Sequence, residues 1–184
     1  MPLYFAYGSN IDTAAMAQRC PRSIAIGAAR LVRHRLAAMR EGWLTVVRDP
    51  HATVYGVLWN LALSDVPALD RYEGVGAGLY RKALQSVATD KGAKRALVYF
   101  GANAGPGVAA ADYIETIIAA ARQWNLPLAP FKAFRSSGSK TIGEPAKTIR
   151  VRPRSGRRLP RLRSRSSDAT RSARLGAQSP RRLG

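Results

Sequence analysis

Large apolar side chains nearly disappear after Phe134, and this limits how the chain can fold more than any other feature. Beyond that point Arg, Ser, Pro and Gly dominate. A segment of this composition cannot bury enough apolar surface to offset the entropy lost on ordering. We therefore predict one folded domain over residues 1–130 and a disordered Arg-rich tail over residues 131–184. The first part is long enough for one compact core and too short for two.

The positive charge follows the same division of the chain. The formal net charge is +19, from 30 Lys and Arg against 11 Asp and Glu. Residues 1–130 hold 14 basic and 9 acidic side chains, whereas residues 131–184 hold 16 basic and 2 acidic ones. A globular, uniformly basic nucleic-acid-binding domain is therefore not the simplest interpretation.

The tail is the one part of the chain that remains a candidate for nucleic-acid binding. The arginines between Arg150 and Arg165 form a dense run that could contact phosphates without sequence preference. No aromatic side chain follows Phe134, so the run has nothing on which bases could stack. A solvated tail is the favoured alternative, and we expect no nucleic-acid partner outside residues 150–165.

Several classes of protein are disfavoured by what the sequence lacks. A single cysteine, Cys20, allows no intrachain disulfide and no cysteine-cluster zinc site. The two histidines, His34 and His51, have no acidic partner at metal-ligand spacing, so we expect neither a metal nor a cofactor. No apolar run reaches the roughly 18 residues of a membrane span, and the N-terminus lacks the basic region of a signal peptide. We expect a cytoplasmic protein that does not enter membranes.

Apolar periodicity and turn residues predict an α+β domain with a mainly antiparallel, curled sheet. Predicted turns lie at Glu41-Gly42, Asp49-Pro50-His51 and Asp90-Lys91-Gly92. The predicted strands span residues 3–7, 23–32, 34–39, 43–47, 53–61, 80–89 and 93–101, and the predicted helices span residues 12–19, 64–72 and 109–124. Asp12-Thr13 is the expected cap of the first helix, and Ser64 is the expected cap of the second.

The first candidate site is the end of the first strand, which runs as Tyr-Phe-Ala-Tyr into the loop Gly8-Ser9-Asn10. Gly8 allows backbone conformations closed to other residues and lets a ligand approach the main chain. Successive exposed N–H groups in such a loop could bind a carboxylate or stabilise a developing oxyanion. The alternative is an ordinary strand-to-helix turn in which Asn10 bonds its own backbone.

The second candidate site is Glu73, which follows the predicted second helix. A carboxylate at the C-terminal end of a helix lies at the negative end of the dipole, where its charged form is disfavoured. In an enclosed pocket such a group could serve as general base and then as general acid, and Asp70 lies on roughly the same helical face. The alternative is a solvated acidic residue before a turn.

Two other candidate sites have little behind them. A Cys20–His dyad is supported only by the presence of these residue types. The glycine-rich stretch Gly101–Gly107 lacks the lysine of a phosphate-binding loop.

The two candidates together resemble the gamma-glutamylcyclotransferase family. The resemblance rests on Tyr-Phe-Ala-Tyr-Gly-Ser-Asn at residues 4–10 and on Leu-Asp-Arg-Tyr-Glu-Gly-Val at residues 69–75, with Tyr80 beyond. A central strand at residues 54–59, Tyr113 on the last amphipathic helix, and Asn-Leu-Pro at residues 125–127 follow in the expected order. The resemblance covers about residues 2–128.

This resemblance implies a small β-barrel with flanking helices that acts on a gamma-glutamyl compound without metal or cofactor. It further implies that the substrate's free α-amine attacks its own γ-carbonyl, giving 5-oxoproline and releasing an amino acid or amine. By the same resemblance, Glu73 is the acid/base and Tyr113 lines the pocket. The loop that binds the γ-glutamyl group would comprise Tyr4, Phe5, Ala6, Tyr7, Gly8 and Ser9.

The leaving group has no signature that can be read from the sequence. A non-catalytic relative that binds a small carboxylate-bearing ligand is the alternative within the same fold, because fold alone does not fix function. The protein could be a monomer or a homodimer.

Overall fold

Five strands close into a barrel in the computed structural model, which describes residues 1–135. The order around the barrel is β1-β3-β2-β4-β5, and the pair formed by β1 and β5 is parallel whereas the other pairs are antiparallel. The predicted mainly antiparallel barrel is therefore confirmed. The strands are β1 (Leu3–Ala6), β2 (Ile24–Ala38), β3 (Leu44–Asn60), β4 (Tyr80–Thr89) and β5 (Gly92–Gly101).

Within residues 1–135, four α-helices flank the barrel: α1 (Thr13–Arg19), α2 (Val66–Tyr72), α3 (Ala111–Gln123) and α4 (Ala129–Lys132). The Asp12 side chain caps α1 by accepting a hydrogen bond from the N–H of Ala15 at 2.8 Å, as the sequence predicts. α3 buries one face against the core, including Ile114, Ile117 and Ile118. None of the helices within residues 1–135 combines the length and apolarity needed to cross a membrane.

The predicted turn at Asp49-Pro50-His51 is wrong, because these residues lie inside the long strand β3. Val32 pairs with Thr53 and His34 pairs with Arg48, so a single residue of β2 faces four residues of β3. Arg33, that single residue, has a left-handed backbone with φ 59°. Such a bulge removes local pairing and therefore tolerates a proline within a strand. The predicted pieces of β2 and β3 are thus halves of two long strands.

The predicted Ser64 cap is also wrong. α2 begins at Val66 after a 3₁₀ turn, and no side chain caps it. Asp65, which is only 5% exposed, accepts hydrogen bonds from the N–H of Arg22 at 2.9 Å and from Ser23 Oγ at 2.8 Å. This carboxylate therefore joins the start of β2 to the entry into α2 instead of capping the helix.

The folded part extends past residue 130. Helix α4 carries Phe131, whose side chain is fully buried in the core. The predicted disorder of the tail falls mainly on residues 136–184, and the arginine run of residues 150–165 is among them; both predictions lie outside the described residues.

Candidate active site

A small pocket lies where the loop after β1 meets the C-terminal end of α2. The two sequence candidates, Gly8-Ser9-Asn10 and Glu73, therefore come together across more than sixty residues of chain. Most of the remaining lining is aromatic. The lining residues are Tyr4, Tyr7, Gly8, Ser9, Asn10, Leu44, Glu73, Tyr80, Tyr99 and Tyr113.

Local backbone chemistry explains the position of Glu73. Its N–H still donates to the carbonyl of Leu69 at 2.9 Å, so Glu73 continues the last turn of α2. Gly74 then adopts a left-handed conformation, with φ 67°, and its N–H donates to the carbonyl of Arg71 at 3.1 Å. A glycine in this conformation ends a helix without a Cβ penalty. Glu73 is consequently held at the helix end with only 6% of its surface exposed.

Asn10 joins the loop to this carboxylate. Its Nδ2 donates to Glu73 Oε1 at 2.8 Å and to the hydroxyl oxygen of Tyr4 at 2.9 Å. Its Oδ1 accepts from a guanidinium nitrogen of Arg19 at 2.6 Å. The side chain of Asn10 therefore reaches the buried acid, unlike in the alternative in which it would bond its own backbone.

The loop itself makes room for the pocket through Gly8. The backbone of Gly8, with φ −118° and ψ −140°, is neither helical nor extended. Space is constrained as well, because a Cβ at this position would lie 3.3 Å from the hydroxyl of Tyr113. Ser9–Ile11 then form a 3₁₀ turn in which the N–H of Ile11 donates to the carbonyl of Gly8 at 3.0 Å. The first N–H groups of such a turn have no partner within it.

The tyrosine side chains that line the pocket carry neutral hydroxyl groups. Burial raises the pKa of each of these phenols, and the negative charge of Glu73 raises the pKa of Tyr4 and Tyr7 further. Two of the hydroxyls donate hydrogen bonds to main-chain carbonyls. The Tyr7 hydroxyl donates to the carbonyl of Tyr99, and the Tyr80 hydroxyl donates to the carbonyl of Leu44 at 2.7 Å. The five phenols are those of Tyr4, Tyr7, Tyr80, Tyr99 and Tyr113. The carboxylate therefore lies among hydrogen-bonding groups that stay protonated at neutral pH.

Residues 4–124 match the sequence profile of the family described as gamma-glutamyl cyclotransferase, AIG2-like. The chain belongs to this family. The match spans both motifs and every residue of the barrel strands except Leu3, and the resemblance drawn from the two motifs is confirmed.

Known relatives of this cyclotransferase-family chain agree with the profile. A human gamma-glutamylcyclotransferase is 31% identical over 137 residues, covering 68% of this chain and 73% of the relative. A bovine gamma-glutamylcyclotransferase is 34% identical over 100 residues, covering 49% of this chain. The chain spans about half the length, 53%, of the bovine relative. A solved structure entitled "Gamma-glutamyl cyclotransferase" superposes with a TM-score of 0.70 at 26% identity, covering 80% of this chain and 94% of that one.

Not every predicted site residue of this cyclotransferase-family chain reaches the pocket. Tyr4, Tyr7, Gly8, Ser9 and Tyr113 line it together with the glutamate. Phe5 and Ala6 do not, although both are fully buried. The ring of Phe5 packs in the barrel core, and the carbonyl oxygen of Ala6 would lie 2.1 Å from a Cβ at Gly56. These two residues pack where the barrel closes and do not line the pocket.

Asp70 faces a different set of groups from Glu73. Its carboxylate accepts from the hydroxyl of Tyr99 at 2.7 Å and from Lys82 Nζ at 2.6 Å, and it does not line the pocket. Asp70 therefore holds Tyr99, which does line the pocket.

The geometry gives no support to a Cys20–His dyad. Cys20 is fully buried beside the carbonyl of Asp65, and burial raises the pKa of its thiol to about 11, which keeps it a thiol at neutral pH. Within residues 1–135 no three His, Cys, Asp or Glu side chains are grouped so that they could hold a metal ion.

Sequence reasoning missed the link between Asn10 and Glu73 and assigned no role to Arg19 or Tyr99. Tyr99 lies on β5, and its place in the pocket depends on barrel closure, which leaves no local signal. Arg19 ends α1, where a basic residue is commonplace because it complements the helix dipole. Only the packing of α1 beside α2 shows that its guanidinium reaches the loop.

Proposed function

We propose that this protein cyclises a γ-glutamyl group to 5-oxoproline and releases an amino acid or amine. The observation that carries the proposal is the buried carboxylate of Glu73, which faces a glycine loop and accepts a hydrogen bond from Asn10 at 2.8 Å. Membership of the gamma-glutamyl cyclotransferase, AIG2-like family supports the same reaction.

Glu73 acts in this proposal as general base and then as general acid. It takes a proton from the substrate's α-ammonium group, and the freed amine attacks the γ-carbonyl carbon to form the new C–N bond of a five-membered ring. When the tetrahedral intermediate collapses, the bond to the leaving nitrogen breaks, and Glu73 returns its proton to that nitrogen. The ring nitrogen still carries two hydrogens after the attack and loses one of them as the amide of 5-oxoproline forms. The released amine takes up this proton and leaves as an ammonium group, so protons and bonds balance without a further reactant.

Tyr4, Tyr7, Gly8, Ser9 and Tyr113 hold the substrate in this proposal. The N–H groups at the start of the 3₁₀ turn would bind a carboxylate or the oxyanion of the intermediate. Neutral phenols provide additional hydrogen bonds without adding charge beside the acid. The substrate supplies its own nucleophile, so the protein needs only to hold a cyclisation-ready conformer, move one proton and stabilise one oxyanion.

Glu73→Gln tests the role of the carboxylate, because the amide keeps the shape but cannot accept the proton. We expect release of 5-oxoproline to fall by about a thousandfold or more, with the melting temperature close to that of the wild type. Glu115→Gln is the matched control, since Glu115 is an exposed residue of α3 that pairs with Arg135. An active Glu73→Gln variant would rule out this mechanism.

The leaving group is defined by a substrate panel. γ-Glutamyl dipeptides, γ-glutamylamines and glutathione are each incubated with the full chain, and 5-oxoproline is followed by chromatography. Turnover of one class assigns the specificity. Saturable binding of a γ-glutamyl compound without turnover would instead favour the non-catalytic alternative.

A further inference from the structure

The shape of the Asn10 carboxamide does not by itself fix its orientation. An asparagine amide can turn by 180° with almost no change in shape, which would exchange its oxygen with its nitrogen. In the turned orientation an acceptor oxygen would face the carboxylate of Glu73, and two electronegative groups would then repel each other. The site therefore depends on a partner that selects one orientation.

Arg19 is that partner. A guanidinium group can only donate hydrogen bonds, so it selects the orientation in which Oδ1 of Asn10 faces it. The contact is 2.6 Å between the Arg19 nitrogen and Asn10 Oδ1. With the oxygen held there, both hydrogens of Nδ2 are directed inward, one to Glu73 and one to Tyr4.

The guanidinium group is itself held by the helix that carries the glutamate. It lies over the ring of Tyr72 at 3.8 Å from the ring centre, an arrangement in which an arginine is bound by both charge and stacking. The Tyr72 hydroxyl is 2.9 Å from Ser9 Oγ, so the same tyrosine also touches the glycine loop. Arg19 thus connects the end of α1, the loop and the residue directly before Glu73.

The charge of Arg19 also reaches the pocket. Burial raises the pKa of Tyr113 and of the Cys20 thiol, and the positive charge of Arg19 acts against both increases.

We infer that Arg19, stacked on Tyr72, is a positioning residue that locks the carboxamide of Asn10 so that it donates to Glu73. The catalytic consequence of this lock rests on the proposed function, whereas the lock itself can be observed without turnover.

Arg19→Met removes the donor and the charge but keeps an unbranched apolar stem. In the steady-state release of 5-oxoproline we expect kcat to fall by about 10- to 100-fold with a smaller change in KM, because the general base loses its orientation. Arg22→Met is the matched control: it removes the same charge from an exposed side chain three residues along and should leave kcat and KM unchanged.

Tyr72→Leu tests the support of the guanidinium group. If Tyr72 acts through Arg19, the Tyr72→Leu and Arg19→Met variants share one defect, and the double variant should be no slower than Arg19→Met alone. If the loss of kcat in the double variant is instead the product of the two single losses, Tyr72 does not act through Arg19. Arg19→Lys, which keeps the charge but not the planar fork, should fall between Arg19→Met and the wild type.

The orientation of Asn10 is read directly from its side-chain ¹⁵N–¹H₂ signals, which are assigned by their loss in Asn10→Ser. In the full chain we expect two well-separated proton shifts, and in Arg19→Met we expect these signals to shift or broaden while the backbone spectrum stays dispersed. Unchanged Asn10 signals in Arg19→Met would overturn the inference, whatever the activity. Absence of 5-oxoproline from the wild-type protein would contradict the proposed function and leave this spectroscopic result to decide the role of Arg19.

Discussion

At the scale of single residues, Gly8 shows how one hydrogen atom in place of a methyl group shapes the pocket. A Cβ at this position would lie 3.3 Å from the Tyr113 hydroxyl, which is closer than such contacts normally are. We expect Gly8→Ala to lower the free energy of unfolding by about 1–2 kcal/mol through overpacking, as measured by urea denaturation.

Two further variants separate this contact from other effects of adding a methyl group. Gly76→Ala is the control, because a Cβ there has nothing within 4 Å, and it should be neutral or slightly stabilising. In a Tyr113→Phe background the contacting oxygen is gone, so the Gly8→Ala penalty should largely disappear. A penalty of the same size in both backgrounds would show that the Tyr113 contact is not its cause.

At the scale of elements, α4 shows that the folded unit needs residues beyond 130. Phe131 is fully buried, and deleting a buried phenylalanine side chain costs about 3–5 kcal/mol. We expect Phe131→Ala to lower the free energy of unfolding by that amount, whereas the exposed neighbour variant Lys132→Ala should change it little.

Two shortened chains extend the same prediction. A chain ending at residue 135 should unfold at the same urea concentration as the full protein, whereas one ending at residue 130 lacks Phe131 and should unfold earlier. Equal midpoints for the two shortened chains would mean that α4 contributes nothing to the core.

The elements also show where local patterns fail. The amphipathic period of α3 and the Asp12 cap of α1 are set by residues close in sequence, and both were predicted correctly. Proline usually interrupts strands, which is why the sequence predicts a turn at Pro50. Pro50 lies within β3 because β3 bulges there, with residues 49–52 facing only Arg33 of β2, and the register of a partner strand cannot be deduced from the sequence around the proline.

At the scale of the whole molecule, the buried phenols predict how stability responds to alkali. Burial raises the pKa of five tyrosines in the folded state above the value of about 10 that they have in the unfolded chain. Their contribution to stability is therefore fully present below pH 10 and is lost as the pH rises above it, because the unfolded state then binds fewer protons.

Five such groups give a slope of at most about 7 kcal/mol per pH unit, from about 1.4 kcal/mol for each proton. We expect cooperative unfolding at alkaline pH, followed by circular dichroism, with a simultaneous rise in tyrosinate absorbance near 295 nm. Ionisation of these tyrosines in a protein that keeps its circular dichroism would contradict the prediction.

The sequence by itself determined the composition of the two parts and most of the strands and helices, because these depend on periodicity and turn residues. The pairing of a glycine loop with a glutamate came from the resemblance of its two motifs, in order, to a known family. The tertiary structure decided which side chains meet. Closure of the barrel brings Tyr99 to the pocket, sends Phe5 and Ala6 into the core, turns Asp70 toward Lys82, and lets Arg19 reach Asn10. Those contacts join residues far apart in the chain, and only three-dimensional packing fixes their distances.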